Sequence, residues 1–211
     1  MRALFVLIAL AIGTLAGLGL TYLASSRSNG FGAVTVGAWS VWPRSGTADA
    51  DPYARASFAR SGELPLERAD GLLFEAATTD NGIRLDGRCE VRIQGRLPQA
   101  RFWTLTVYDE RGRLIDNPAE RYGFNSTEIV WNQDGTFEMT AAPRARSGNW
   151  LPTGGRDRIV LVVRLYDAPI GIASRTGEPL EMPRVTQVAC PSCKSIRFRS
   201  RPASSSAGSC I

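Results

Sequence analysis

Histidine is absent from the 211 residues, and lysine occurs once, at Lys194. Without histidine, Ser-His-Asp and Cys-His nucleophilic catalysis are excluded, and the commonest metal ligand is lost. A glycine loop for phosphate and a Gly-x-Ser-x-Gly nucleophile elbow are also missing. The scarcity of lysine says less, because arginine carries the positive charge as codon bias in a GC-rich genome would produce. Four of the five net positive charges lie in one place, at Lys194, Arg197, Arg199 and Arg201, where no acid interrupts them. The remaining body is nearly neutral, so no basic face is expected and no nucleic acid is an expected partner. Apolar content of 44% and charged content of 21% describe a globular body. The tail, residues 194–211, is serine-rich and basic and reads as disordered.

Charge is also absent from residues 3–24, ALFVLIALAIGTLAGLGLTYLA. As a helix this run spans roughly 33 Å at about 1.5 Å per residue, enough to cross a bilayer. A cleaved signal peptide is the rival reading. Its apolar core is about 7–15 residues long, and the only passable cleavage triplet here is Ala24-Ser25-Ser26. The longer run favours an uncleaved anchor, with residues 4–23 in the membrane. Orientation is not set by charge, since Arg2 faces Arg27 and Arg44 across the span. Gly13 and Gly17 form a GxxxG spacing, so a dimer through them is an expectation. Residues 25–32 follow as a linker.

The body, residues 33–193, reads as β. Residues 33–42 (AVTVGAWSVW) are strand-like, and Asp51-Pro52 opens a short helix that stops at Gly62. Three turns share one design, at Thr79–Gly82, Asp109–Gly112 and Asn132–Gly135, each with glycine last. Each suits a type I turn closed by a left-handed glycine, which implies at least three antiparallel pairs. In residues 102–108 the Trp103, Leu105 and Val107 face is the core face, and the chain turns after Asp109 into a second short strand. Ile159 to Val163 is continuously apolar, as in a central strand covered on both faces. Residues 90–94, 128–131 and 136–139 supply further strands. The fold class is mainly β, an antiparallel jelly-roll-like β-sandwich with one short helix, preceded by a transmembrane helix.

Candidate chemistry is sparse. Cys190-Pro-Ser-Cys193 has metal or redox spacing, but zinc would need Cys89 and Cys210 as well. A structural disulfide from Cys89 to Cys190, or to Cys193, is the expected use, and neither metal nor cofactor is expected. The acids Asp109, Asp116, Glu120, Glu128, Asp157 and Asp167 lie mostly in turns. A glycosidase would need two of them about 5–10 Å apart on one surface. Trp39, Trp42, Trp131 and Trp150 are assigned to core or loop packing, with sugar stacking as the alternative. Two loops are unusually specified, Asn117-Pro-Ala-Glu-Arg-Tyr-Gly123 and Ser147-Gly-Asn-Trp-Leu-Pro152. They make Asp116 and Glu120 the catalytic candidates, and Asn117, Arg121, Tyr122, Asn149 and Trp150 the ligand-binding candidates.

The ordered motifs FWTLTVYD, LIDNPAERYGFNS, DGTFEM, GNWLP and VLVVRLYD resemble the bacterial domain-of-unknown-function 1214 family over residues 89–190. The likeness is to its short members with an amino-terminal membrane segment. It implies a jelly-roll-like fold and carries no catalytic residue, cofactor or substrate. The expected protein is a non-enzymatic one of the bacterial inner membrane, single-pass, with its β-domain in the periplasm. There it would bind or scaffold an envelope glycan, lipid or protein. A carboxylate-dependent enzyme on a glycan or lipid-linked substrate is the alternative, and a lipid carrier would need an apolar cavity.

Overall fold

The computed structural model describes residues 2–26, 33–43, 46–52, 55–56, 59, 71–168 and 180–190. Most of the expected linker, most of the short helix after Asp51, and the tail with Cys193, Lys194 and Cys210 lie outside the described residues. Helix α1 (Arg2–Ser26) is apolar on all sides, and its Arg2–Leu23 stretch has a mean hydropathy of 2.5. By length and composition it can cross a membrane, as an anchor or as a signal sequence.

Among the described residues ten strands follow: β1 (Val34–Val36), β2 (Trp39–Val41), β3 (Gly71–Ala76), β4 (Glu90–Gly95), β5 (Phe102–Asp109), β6 (Gly123–Asn125), β7 (Phe137–Ala142), β8 (Asn149–Pro152), β9 (Ile159–Tyr166) and β10 (Arg184–Ala189). They form a six-stranded sheet, β1-β2-β3-β9-β5-β6, and a four-stranded sheet, β10-β4-β7-β8. One core joins the two, with Phe74, Leu105, Leu161, Val163 and Leu165 from the first sheet and Val91, Ile93, Phe137, Met139 and Val185 from the second. Trp103 of β5 stacks on Phe137 of β7 at 5.6 Å between ring centres. The molecule is a β-sandwich.

Alternation sets the faces. Trp103, Leu105 and Val107 are buried while Phe102, Thr104, Thr106 and Tyr108 are half-buried, as the period of two requires. Strand β9 is central, between β3 and β5, but of its outward residues only Val162 is buried. The other face of that strand is partly open, because Val160, Arg164 and Tyr166 stand half-exposed.

The three glycine turns form as their sequences require. Gly82, Gly112 and Gly135 all have φ between +71° and +78°, and each amide donates to the carbonyl three residues earlier. The arms beyond them are shorter than expected, closed by single bridges at Thr78–Arg84, Tyr108–Leu114 and Trp131–Phe137. Residues 113–116 are therefore no second strand. The reason is that Ile115 turns into the core instead of continuing along β5, whose edge is taken by β6. Residues 128–131 likewise form no strand: Glu128 is in a turn, Ile129 in a bend, and Trp131 pairs by its single bridge to Phe137. Residues 33–42 fold as a hairpin, since Val36 pairs with Trp39 across Gly37-Ala38. The second sheet is mixed rather than wholly antiparallel, because β8 runs parallel to β7 from Met139–Asn149 to Ala142–Pro152.

Cys89, at the start of β4, is bonded to Cys190, at the end of β10, across 101 positions. The bond staples the edge strand β10 to its neighbour.

Candidate functional site

At one end of the sandwich the β5 turn and the β8–β9 loop enclose an open polar cleft of about 830 Å³. Asp109, Glu110, Arg111, Arg113 and Asp116 line it from one side, and Gly154, Gly155, Arg156, Asp157 and Arg158 from the other. Both walls are held at their bases. Asp109 is the anchor of the first: its Oδ1 accepts the amides of Arg111 and Arg113, each at 2.9 Å, and its Oδ2 accepts from the Arg113 guanidinium. Partial burial pushes its carboxyl up, but these donors, led by the Arg113 amide and guanidinium, hold it below the usual carboxylate range. Thr153 anchors the second wall. It is fully buried, its amide donates to the Ala142 carbonyl at 3.2 Å, and its hydroxyl donates to the Gly87 carbonyl.

Most charges in the cleft cancel locally. Asp109 pairs with Arg113 at 2.9 Å, Glu110 with Arg158 at 3.1 Å, and Asp157 with Arg88 at 3.3 Å. Among the described residues the lining side chains without an ion pair are Arg111, Arg156 and Asp116. Each of the three is exposed. The lining thus offers two guanidiniums and one carboxylate to a ligand. Two unpaired acids, as general acid–base hydrolysis of a glycoside needs, are not both in its lining.

The loop residues singled out from the sequence are placed as follows. Asp116 lines the cleft, whereas Glu120 lies outside its lining, exposed and in the left-handed region at φ 50°. Asn117 is committed to its own turn: its Nδ2 donates to the carbonyls of Ile115 and Arg121, and its Oδ1 accepts the Arg121 amide. Arg121 reaches the Trp150 carbonyl at 3.3 Å and stands 5.2 Å over the Phe124 ring, so the two specified loops do meet. Tyr122 is exposed. Asn149 is 6% exposed, accepts the Val130 amide, and donates to the carbonyls of Val130 and Glu138. Trp150 is half-buried, with its indole N–H on the Ala142 carbonyl at 3.0 Å. Asn117 and Asn149 are therefore occupied with the backbone.

Of the other tryptophans, Trp39 is fully buried and donates to the Pro183 carbonyl at 2.7 Å. Trp131 is 44% exposed and packs edge-on against Trp103 and Phe137. Among the described residues no three Cys, Asp or Glu side chains converge as a metal site would need. Arg111, Arg156, Gly154 and Gly155 went unnoticed in the sequence, where arginine-rich turns pass for solvated surface. Their signal was the pair of runs Asp-Glu-Arg-Gly-Arg113 and Gly-Gly-Arg-Asp-Arg158, each set at the end of a long apolar strand.

Residues 70–170 match the family model described as "Protein of unknown function (DUF1214)". No curated protein matches the chain. The crystal structure of the VPA0106 protein from Vibrio parahaemolyticus is similar with a TM-score of 0.55 and 20% identity, over 84% of this chain and 44% of that one. An uncharacterised protein from Burkholderia cenocepacia is similar with a TM-score of 0.39 and 19% identity, over 65% of this chain and 32% of that one. The chain spans less than half the length of either. The Vibrio likeness shows the fold alone.

Proposed function

We propose, for a chain whose residues 70–170 belong to the DUF1214 family, the role of a membrane-anchored periplasmic domain that binds or scaffolds a component of the cell envelope. The observation that carries it is the Cys89–Cys190 bond in a β-sandwich behind an apolar helix long enough to span a bilayer. Disulfides persist in oxidising compartments, so a stapled domain behind such a helix fits the outer side of the bacterial inner membrane. Residues 4–23 are the single pass in this reading, and Gly13 and Gly17 are the faces through which two anchors would meet. The envelope partner is a glycan, lipid or protein, and not nucleic acid. Jelly-roll-like connectivity belongs to the same reading, supported by the chain's alternation between sheets from β3 to β5 and again from β8 to β10.

One observation favours a second reading, a carboxylate-dependent enzyme acting on a glycan or lipid-linked substrate: Asp116 stands in the cleft without an ion-pair partner among the described residues. On that reading Asp116→Ala and Glu120→Ala each abolish turnover, and unchanged turnover in either removes that residue's catalytic role.

The primary reading is tested on protein in native membranes, without reductant. Thiol alkylation with mass mapping should leave Cys89 and Cys190 unmodified, and protease added to spheroplasts should digest the β-domain. Free alkylation of both cysteines, with the domain protected from protease, would remove the periplasmic assignment.

A further inference from the structure

The cleft combines features that solvated surface turns do not need. Arg111 and Arg156, whose guanidiniums have no ion pair among the described residues, come from opposite walls, and both walls are pinned by groups buried beneath them. Arg111 sits one residue before the left-handed Gly112, on a turn whose amides are held by Asp109. Arg156 follows two successive left-handed glycines, Gly154 at φ 58° and Gly155 at φ 65°. No acceptor among the described residues takes the amide hydrogen of either glycine. The two glycines are the centre of a turn closed by the Arg156 amide on the Thr153 carbonyl at 3.2 Å, and their own amides remain available as donors in the cleft wall. A side chain at Gly154 would also place a Cβ 2.8 Å from the Ile115 Cγ2, so the wall is closely fitted there.

We propose that this cleft binds a single anionic group, phosphate or carboxylate, carried on a hydroxyl-bearing ligand. Arg111 and Arg156 grip the anion from two sides, a planar guanidinium being suited to two parallel bonds with either group. Asp116 sets the remainder of the specificity. Its carboxylate accepts from a neighbouring hydroxyl and repels a second negative charge, so the site takes a sugar phosphate or a sugar acid in preference to a polyanion. Because the backbone of both walls is fixed before binding, the ordering that opposes capture is confined to the exposed Arg111 and Arg156 side chains. The proposal deepens the binding role given above by naming the ligand class of the same chain.

The test uses the full chain in detergent with its disulfide intact, titrated calorimetrically with inorganic phosphate, glucose 1-phosphate, glucuronate and glucose at low and moderate salt. Saturable binding of the first three, weakening as salt rises, with glucose inert, is the expected result. Arg111→Ala and Arg156→Ala should each weaken binding about tenfold, the scale of one charge-assisted pair. Arg101→Ala, outside the cleft, should leave it unchanged. Asp116→Asn should tighten inorganic phosphate while erasing the advantage of glucose 1-phosphate over it. The relative strengths of glucose 1-phosphate and glucuronate separate the two sources of the anion. No saturable binding to the intact chain, or binding undiminished in the Arg111→Ala/Arg156→Ala double variant, overturns the proposal. Such a failure with Cys89 and Cys190 protected outside the cytoplasm leaves the envelope reading standing, whereas free thiols with phosphate binding intact remove the location and keep the cleft.

Discussion

Asn149 makes three hydrogen bonds to the backbone with one side chain. It is buried, accepts the Val130 amide, and donates to the carbonyls of Val130 and Glu138. Those bonds tie the short strand β8 to the chain that precedes β7. Replacing it by alanine removes three hydrogen bonds to half-buried backbone groups, each contributing on the order of 1 kcal/mol. Asn149→Ala should therefore lower stability by about 2–4 kcal/mol in urea unfolding, while Tyr122→Ala, exposed and with no side-chain hydrogen bond among the described residues, should change it by about 0.5 kcal/mol or less. A small effect at Asn149 would mean that water replaces its bonds and that the residue is free for a ligand. The sequence showed that Asn149 and Asn117 were special, because asparagine before an aromatic or a proline marks a specified turn. It did not show that their amides were spent on the backbone, since that depends on Val130 and Glu138, whose nearness to Asn149 is a product of the tertiary fold.

The sheet elements divide by how locally they are encoded. The three glycine turns and the inward face of β5 were legible because each is fixed within a few residues, by a left-handed glycine or by alternation. Strands β6 and β8 were not, being three and four residues long with no alternation to read. The parallel pairing of β8 with β7 depends on Asn149 and on contacts across the sheet. Strand β10 is an edge strand too, and the Cys89–Cys190 bond fixes its end against β4. Reduction should act there first. In the loop-entropy account a closed loop of this length stabilises by up to about 4–5 kcal/mol. With dithiothreitol present, hydrogen exchange should lose protection in β10 and the start of β4 while β5 and β9, central to the larger sheet, retain it. Uniform loss across both sheets would instead show that the bond supports the whole sandwich against the unfolded chain. Asp80 gives β10 a second hold, its Oδ2 accepting the Val185 amide at 2.9 Å and its Oδ1 the Ala38 amide at 3.0 Å. Because of it β10 should loosen on reduction without leaving the sheet.

For the whole molecule the absence of histidine becomes a prediction about pH. Among the described residues four acids have folded-state pKa values below their ordinary ones. A hydrogen bond from Arg88 does this for Asp86, one from Arg146 for Glu90, and the Thr136 hydroxyl and amide for Asp134. At Asp109 burial works in the opposite direction but is outweighed by the donors from Arg113 and Arg111. In the unfolded chain such carboxyls bind protons near pH 4. A group that releases its proton more readily when folded adds stability above that pH and loses it as pH falls through the folded value. The contribution of these acids should therefore be fully present from about pH 5 upward, start to fall near pH 4, and be gone only once the pH is below the lowered folded-state values. With no imidazole to titrate, the thermal midpoint of the disulfide-bonded chain should be nearly flat between pH 5 and 8. Exposed pairs such as Asp134 are screened by solvent and salt, so the acid-side loss should come mainly from the half-buried Asp86 and Glu90 and the buried Asp109. Thermal unfolding followed by circular dichroism from pH 8 to pH 2.5 checks both limbs, with Asp109→Asn expected to start from a lower midpoint and fall less steeply below pH 4. A midpoint that already drops between pH 7 and 5 would require a titrating group that these four carboxylates do not supply. An Asp109→Asn protein with the original acid limb would show that Asp109 holds the cleft wall without holding the fold, leaving the Arg111 turn fixed by its backbone alone.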